Sequence, residues 1–367
     1  MKNKRMQGVV RNLLLKTAPV WVLVGLVCIS MAAQEAPDIG QLLARAQEGH
    51  VGEQLKLGRA FQLGQGVKRD PAEAAQWFLK AANFGSPTAQ TQIGYLYMRG
   101  EGVAQDEQQA FQWFQRAATA DYAPAQYDLA YLLLNGLGVQ QNLQAGAIWM
   151  TRAAGQGFAP AQVNLAVLYA GGVGVARDET EAVRWCREAV KHHFVPGEFL
   201  LGLMYENGTG VAKNISQAAH WYRKAAGQGY LQAQNNLGVL YEDGKGVPQD
   251  IQEATKWYRL AAEQGNGNSY MNLAHVYTAG QGAKPDYRLA YFWAQLAQHS
   301  DWPMATRPSQ EVLRWLRSHL SPEEVAKIEE QEEDWIRAHP FKPAVYDYGK
   351  DWNLTYQNEE LSHLHPQ

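Results

Sequence analysis

Gly100-Glu101-Gly102-Val103 is one copy of a glycine-rich stretch that returns every 36 residues, with no insertion or deletion between copies. A column of tryptophans keeps the same step. A fixed period of this length is typical of repeat proteins, in which one small unit of secondary structure is stacked on further copies of itself. The stretch begins at Gly64, Gly100, Gly136, Gly172, Gly208, Gly244 and Gly280, and the tryptophans are Trp77, Trp113, Trp149, Trp185, Trp221, Trp257 and Trp293.

One repeat, residues 86–121, shows how the pattern predicts two helices. Apolar residues recur at helical spacing from Ala89 to Leu96, which predicts a first helix that ends at Gly100. A glycine there can adopt the left-handed conformation that satisfies the last carbonyls of a helix. Asp106 then predicts the N-cap of a second helix. Because a pair of helices cannot bury its apolar face alone, the units have to stack in series.

The motif of the repeat is clearest in Trp221-Tyr222-Arg223-Lys224-Ala225-Ala226, then Leu237-Gly238-Val239-Leu240-Tyr241 and Gly244-Lys245-Gly246-Val247. This pattern resembles the Sel1-like repeat, a relative of the tetratricopeptide repeat, and the match runs from about Val51 to Gln298. The resemblance implies an all-α fold: a right-handed α/α superhelical solenoid of seven two-helix repeats with terminal capping helices.

The period also predicts the domain boundaries. Asp38 to Gly49 looks like half a unit, so residues 34–49 are predicted as an N-terminal capping helix, while Ser321-Pro322-Glu323-Glu324 predicts a helix that starts with a capping box. The acidic residues from Glu329 to Asp334 are expected on the solvated face of that helix. The predicted repeats are residues 50–85, 86–121, 122–157, 158–193, 194–229, 230–265 and 266–301, followed by C-terminal capping helices at 302–339 and an irregular tail at 340–367.

Residues 1–33 have the pattern of a bacterial signal peptide, with a basic start, an apolar run and small residues from Ser30 to Ala33. We therefore expect a periplasmic or secreted protein. The alternative is an uncleaved anchor that holds the protein on the inner membrane facing the periplasm, because the apolar stretch is near the lower length limit for a bilayer span. This segment would then be the protein's one contact with a membrane.

The charge balance argues against a nucleic-acid partner. The leader holds five of the 33 basic residues and none of the 36 acidic ones, so the rest of the chain is more acidic than the whole. Nucleic-acid binding needs a basic face.

The sequence shows no recognisable catalytic set. A nucleophile elbow, a phosphate-binding loop and a His-Glu-x-x-His motif are absent, and no serine has a lysine three residues later. His192 and His193 have no cysteine or carboxylate at metal-ligand spacing, so we interpret them as surface residues. Cys186 is the one cysteine after the leader and is expected in the core. We expect no catalytic residue, no cofactor and no metal.

The candidate binding surface is the face formed by the first helices of the repeats. In such arrays this face is expected to be concave, and partners usually bind there. Its columns place amides beside tyrosines expected to be exposed, which suits an extended peptide or a protein loop. The asparagine column could equally tie neighbouring repeats together by hydrogen bonds. The predicted partner-binding residues are Gln92, Tyr95, Arg99, Asp128, Tyr131, Asn135, Asn164, Asn207, Asn236, Asp243, Asn272 and His275.

These observations predict a non-enzymatic scaffold or adaptor of the bacterial envelope that binds a partner protein or peptide on its concave face. Some cysteine-rich relatives of the family are linked to β-lactam binding. A cell-wall-associated enzyme, or a protein that binds peptidoglycan or β-lactams, is therefore the first alternative. A secreted effector that acts on a host is the second.

Overall fold

The computed structural model describes residues 39–280, 284–300 and 307–339. The predicted leader and the predicted irregular tail lie outside these ranges and stay predictions. The described residues form two compact units, which divide between Asp178 and Glu179, inside the fourth predicted repeat.

Unit 1 consists of helices that each pack against the next one along the chain. Its first helix lies where the N-terminal capping helix is predicted. The helices are α1 (Ile39–Gln47), α2 (Val51–Leu63), α3 (Pro71–Asn83), α4 (Pro87–Arg99), α5 (Glu107–Thr119), α6 (Ala123–Asn135), α7 (Leu143–Gly155) and α8 (Ala159–Gly171).

Unit 2 continues the same pattern, and its last two helices both pack on α15. All regular secondary structure in the described ranges is helical, so the all-α repeat prediction is confirmed; the right-handed superhelical curvature stays a prediction. The helices are α9 (Glu179–Lys191), α10 (Val195–Asn207), α11 (Ile215–Gly227), α12 (Leu231–Asp243), α13 (Ile251–Glu263), α14 (Gly267–Ala279), α15 (Tyr287–Gln298), α16 (Gln310–Arg317) and α17 (Pro322–Ala338).

The helix ends follow the predicted caps. Gly100 follows α4 with a φ of 66°, and its N–H donates to the carbonyl four residues earlier. Asp106 accepts the first free N–H groups of α5 at 2.9 and 3.0 Å. In α17 the capping box is formed in both directions between Ser321 and Glu324, at 2.8 and 3.2 Å. These local bonds set where each helix begins and ends.

Small residues allow the two helices of one repeat to approach closely. The ring of Phe114, on α5, lies against Gly94, on α4, and a Cβ on that glycine would lie 2.9 Å from the ring. Tyr258 and Gly238 make the same contact between α13 and α12, where a Cβ would lie 2.5 Å away. Both aromatic rings are fully buried in the cores of their units. In each pair, the aromatic ring therefore fills the space that a side chain on the glycine would occupy.

Neighbouring repeats are joined through the glycine-rich loop. Gly138 has a φ of 64° and lies on the first turn of α5, where a Cβ would be 2.2 Å from the carbonyl oxygen of Glu107. Glycine is required here for both its conformation and its size. The Gly138 N–H also donates to the Glu107 carboxylate at 3.1 Å. In unit 2, the Gly210 N–H donates to Glu179 in the same way at 3.2 Å.

Candidate functional site

The predicted tyrosines of unit 1 are buried, so the expectation that they are exposed is wrong. Tyr95 is 3% exposed and donates its hydroxyl to the Asp128 carboxylate at 2.6 Å. Tyr131 and Gln92 are buried as well. The physical reason is that α4 and α6 contact each other directly, which places residues of successive first helices face to face. Their role in partner binding stays a prediction.

The predicted asparagines bond between neighbouring first helices. Asn164 donates its Nδ2 to the Tyr127 hydroxyl at 3.1 Å in unit 1. In unit 2, Asn272 donates to the Asn235 Oδ1 at 2.9 Å, whereas Asn236 accepts at 3.4 Å from Asn235 of its own helix. The bonds of Asn164 and Asn272 support the alternative interpretation of the column, in which the amides tie repeats together. Amide atoms engaged in this way are less available to a partner.

Other predicted residues lie at the C-terminal ends of first helices, and several of these are exposed. Asn135 and Asn207 each donate to a backbone carbonyl one turn earlier, at 2.9 and 3.0 Å. Arg99 lies 3.7 Å from the Glu101 carboxylate. This end of the first helices is therefore the part of the predicted surface that a partner can reach.

The end of α12 holds a cluster of titratable groups. Tyr258 donates to the Glu242 carboxylate at 2.7 Å, and the exposed ring of His275 places Nδ1 3.2 Å from the same carboxylate. Burial, followed by the nearby carboxylate, raises the pKa of Tyr258, so its hydroxyl remains a donor at neutral pH. Asp243 pairs with Lys245 at 2.9 Å. The structure thus brings Asp243 and His275 to one end of the first helices.

A groove of about 670 Å³ lies between α13 and the end of α14. Arg259 donates to the Tyr277 hydroxyl at 2.6 Å, which holds the guanidinium beside the groove. An anionic segment with an apolar side chain complements this combination of charge and apolar surface. The lining includes three apolar side chains, three cations and one carboxylate: Ile251, Leu260, Val276, Lys256, Arg259, Lys284 and Glu263.

The sequence-based prediction missed this groove, although the repeat alignment contains a signal for it. Leu260 is 36% exposed and occupies a column that is charged in the five preceding repeats. Where that residue is a cation, it lies over the tryptophan of its own helix, as Lys80 lies 3.7 Å from the ring centroid of Trp77. The leucine replaces this contact with accessible apolar surface. The charged members of the column are Lys80, Arg116, Arg152, Glu188 and Lys224.

The remaining titratable groups of the described residues form neither a metal-binding cluster nor a reactive thiol. Within 39–280, 284–300 and 307–339, no three His, Cys, Asp or Glu side chains are grouped so as to hold a metal ion. Cys186 is buried, as predicted, and its Sγ donates to the Gly197 carbonyl at 3.2 Å. Burial raises the pKa of this thiol, which keeps it protonated and unreactive.

Across the part of the chain that the structure describes, none of the helices has the length and apolar character needed for a bilayer span.

The acidic face of α17 differs from the prediction at one residue. Glu332 is 5% exposed, and its carboxylate lies 2.6 Å from the His299 Nδ1. It follows the buried residues Val325 and Ile328 by seven and four positions, so it lies on the same helix face. The expectation of a solvated side chain is wrong for Glu332 because this face packs on α15.

Comparison with known proteins agrees with the repeat architecture. The Sel1 repeat family model matches residues 54–85, 87–122, 123–158, 159–193, 195–230, 231–266 and 267–297. None of the curated proteins matches the chain. The structure of a Sel1 repeat protein from Oxalobacter formigenes is similar, with 29% identity over 79% of this chain and 83% of that chain and a TM-score of 0.63.

A second similar structure is that of c5321, a protective antigen of uropathogenic Escherichia coli with an SLR fold. It has 24% identity over 90% of this chain and 82% of that chain, with a TM-score of 0.51, and supports the fold alone. Sel1 repeats are generally non-catalytic scaffolds for interactions between proteins. Since the seven matched repeats cover more than half of the residues, the chain belongs to the Sel1 repeat family.

Proposed function

We propose that this protein is a non-catalytic adaptor of the bacterial envelope that binds a segment of a partner protein in the α13–α14 groove. The general use of Sel1 repeats as interaction scaffolds supports the adaptor role. The signal-peptide pattern of residues 1–33 supports the envelope location. The observation that carries the proposal is the groove itself, which combines accessible apolar surface with three cations.

The chemistry of the groove defines the segment that it binds. Leu260 offers apolar surface to an anchor side chain, and burial of an anchor at the centre of an interface supplies much of the binding energy. Arg259 and Lys284 attract carboxylates that flank the anchor, while Lys256 pairs with Glu253 on its own helix at 3.1 Å. Asp243 and His275, at the end of the predicted first-helix face, are a second place where the same partner makes contact.

The experiment compares capture of envelope proteins by the wild type and two variants. Leu260→Lys introduces the cation found in four of the five preceding repeats and removes the apolar anchor site. Ile148→Lys is the matched control, because Ile148 is another exposed apolar residue, 57% accessible, on α7 in unit 1. Both substitutions leave the core unchanged, and circular dichroism checks that both variants fold.

We expect a specific envelope protein to be retained by the wild type and by Ile148→Lys and lost with Leu260→Lys. Equal capture by both variants would place the binding surface elsewhere. Turnover of peptidoglycan or of a β-lactam reporter by the purified protein, above background, would contradict the non-catalytic role.

A further inference from the structure

Five repeats are joined to the preceding helix by a buried glutamine. In α6, Gln126 donates its Nε2 to the carbonyl of Ala118, in the last turn of α5, while its Oε1 accepts from Gln156 at 2.8 Å. We call the donor bond the glutamine latch. It runs in each case to the carbonyl eight residues earlier, at 3.1 to 3.3 Å, from Gln54, Gln90, Gln126, Gln162 and Gln234.

At the junction of α9 and α10, the latch residue is a glutamate. Glu198 is 4% exposed and accepts from Gln228 at 2.7 Å. Gln264 makes the same bond to Gln234 at 2.8 Å in the next repeat, so Glu198 occupies the latch position. By this register, the carbonyl that corresponds to the latch acceptor is that of Val190, eight residues before Glu198.

The protonation state of this carboxyl group decides whether the latch can form. An ionised carboxylate only accepts hydrogen bonds, so it would set two acceptors against each other. A protonated carboxyl group has an O–H that can donate as the glutamine amide does. Burial raises the pKa of Glu198 above the ordinary carboxyl value, which favours the protonated form in the folded protein.

The charged neighbours of Glu198 oppose the effect of burial. Lys224, on α11, and His193, in the loop before α10, both favour the ionised carboxylate. His193 has a φ of 54° at a position that in the aligned repeats is otherwise occupied by Asp121 or glycine. Asp121 accepts from the latch amide of Gln126 at 2.8 Å, so a side chain at this position reaches the latch residue. The glycines of the column are Gly49, Gly85, Gly157, Gly229 and Gly265.

Near the end of α9, Lys191 and Glu188 form an ion pair within the helix. Lys191 bonds to the Glu188 carboxylate at 2.8 Å. The pKa of Glu198 therefore reflects burial, which raises it, against the charge of Lys224, the hydrogen bond from Gln228 and the neighbouring His193, which lower it.

We propose that the α9–α10 junction is a proton-operated latch, which closes when Glu198 is protonated and loosens when Glu198 is ionised. The sign follows from linkage: a carboxyl group whose pKa is higher in the folded than in the unfolded state binds its proton more tightly when folded. Its contribution to stability is complete below the unfolded pKa and is lost as pH rises through the folded pKa. Mild acid therefore tightens this junction, while the junction of Gln234, whose latch amide does not titrate, does not respond.

Amide hydrogen exchange of the full chain between about pH 5 and pH 8, corrected for the intrinsic exchange rate, tests the latch. We expect protection of residues 189–200 to fall as pH rises, relative to residues 225–236, which span the Gln234 latch. The change in the opening constant approaches about tenfold for each unit by which the folded pKa exceeds the unfolded one. Glu198→Gln should abolish this pH dependence and keep the junction protected.

The reverse exchange provides an independent variant. Gln234→Glu places the same carboxyl group in a repeat with Gly229 at the left-handed position, and we expect it to make residues 225–236 pH-dependent. The proposal is overturned if the two wild-type junctions respond identically to pH. It is also overturned if Glu198→Gln keeps the wild-type pH response.

Discussion

Tyr95 and Asp128 show how polar side chains of the first helices act within the array. The hydroxyl of one and the carboxylate of the other are buried, and the bond between them links α4 to α6 at 2.6 Å. A buried carboxylate is costly unless donors compensate for the water that it loses. The pair therefore holds two repeats in one register, whatever else these residues do.

Replacing Tyr95 with Phe should lower the free energy of unfolding by about 1–3 kcal/mol, because the buried Asp128 carboxylate loses a donor. The matched control is Tyr241→Phe, whose hydroxyl accepts from Arg223 at the surface and which should change the free energy by less than about 0.5 kcal/mol. Urea denaturation measures both. Equal effects of the two substitutions would contradict the structural role of the Tyr95 hydroxyl.

Features set by a few neighbouring residues could be predicted from the sequence, and features set by contacts between repeats could not. The caps at Gly100 and Ser321 depend on groups within one turn, and both predictions are confirmed. The burial of Tyr95 depends on how closely two first helices approach, which no local pattern encodes. The burial of Glu332 could have been predicted from the sequence, because its spacing of four residues from Ile328 places it on the buried face of α17.

At the scale of the elements, the glycine-rich loops that begin at Gly100, Gly136, Gly172, Gly208 and Gly244 each contact the preceding helix pair. The second glycine of the loop rests on the first turn of the preceding second helix, as Gly138 does on α5. A loop held in this way fixes the position of one repeat relative to its neighbour. Stability in such an array comes from the repeats and from the contacts between nearest neighbours.

Gly138→Ala should lower the free energy of unfolding by about 2–4 kcal/mol, through the left-handed conformation and the clash with the Glu107 carbonyl. Gly155→Ala is the control: this glycine is an exposed residue of α7, and a Cβ there would meet no atom within 4 Å. It should raise stability slightly, by about 0.4–1 kcal/mol. Thermal and urea denaturation of both variants measure the difference; similar losses for both would refute the loop contact.

At the scale of the whole molecule, the period alone predicts the all-α repeat fold but not the places where the array departs from uniformity. The two compact units divide inside a repeat whose motif matches the others, so the period gives no sign of that boundary. The α13–α14 groove depends on the accessible apolar side chain of Leu260, in a column that is charged in the five preceding repeats. Function in this chain is thus expected where one copy differs from its neighbours.

Site-specific photocrosslinking in cells that express the full chain tests the groove most directly. A benzoylphenylalanine is placed at Gln252, in the groove, or at Gln144, the exposed residue at the same repeat position on α7. We predict a covalent adduct with an envelope protein from position 252 and none from position 144, with the crosslinked segment carrying an apolar residue beside Asp or Glu. Equal adducts from both positions, or no adduct from position 252, would contradict the account.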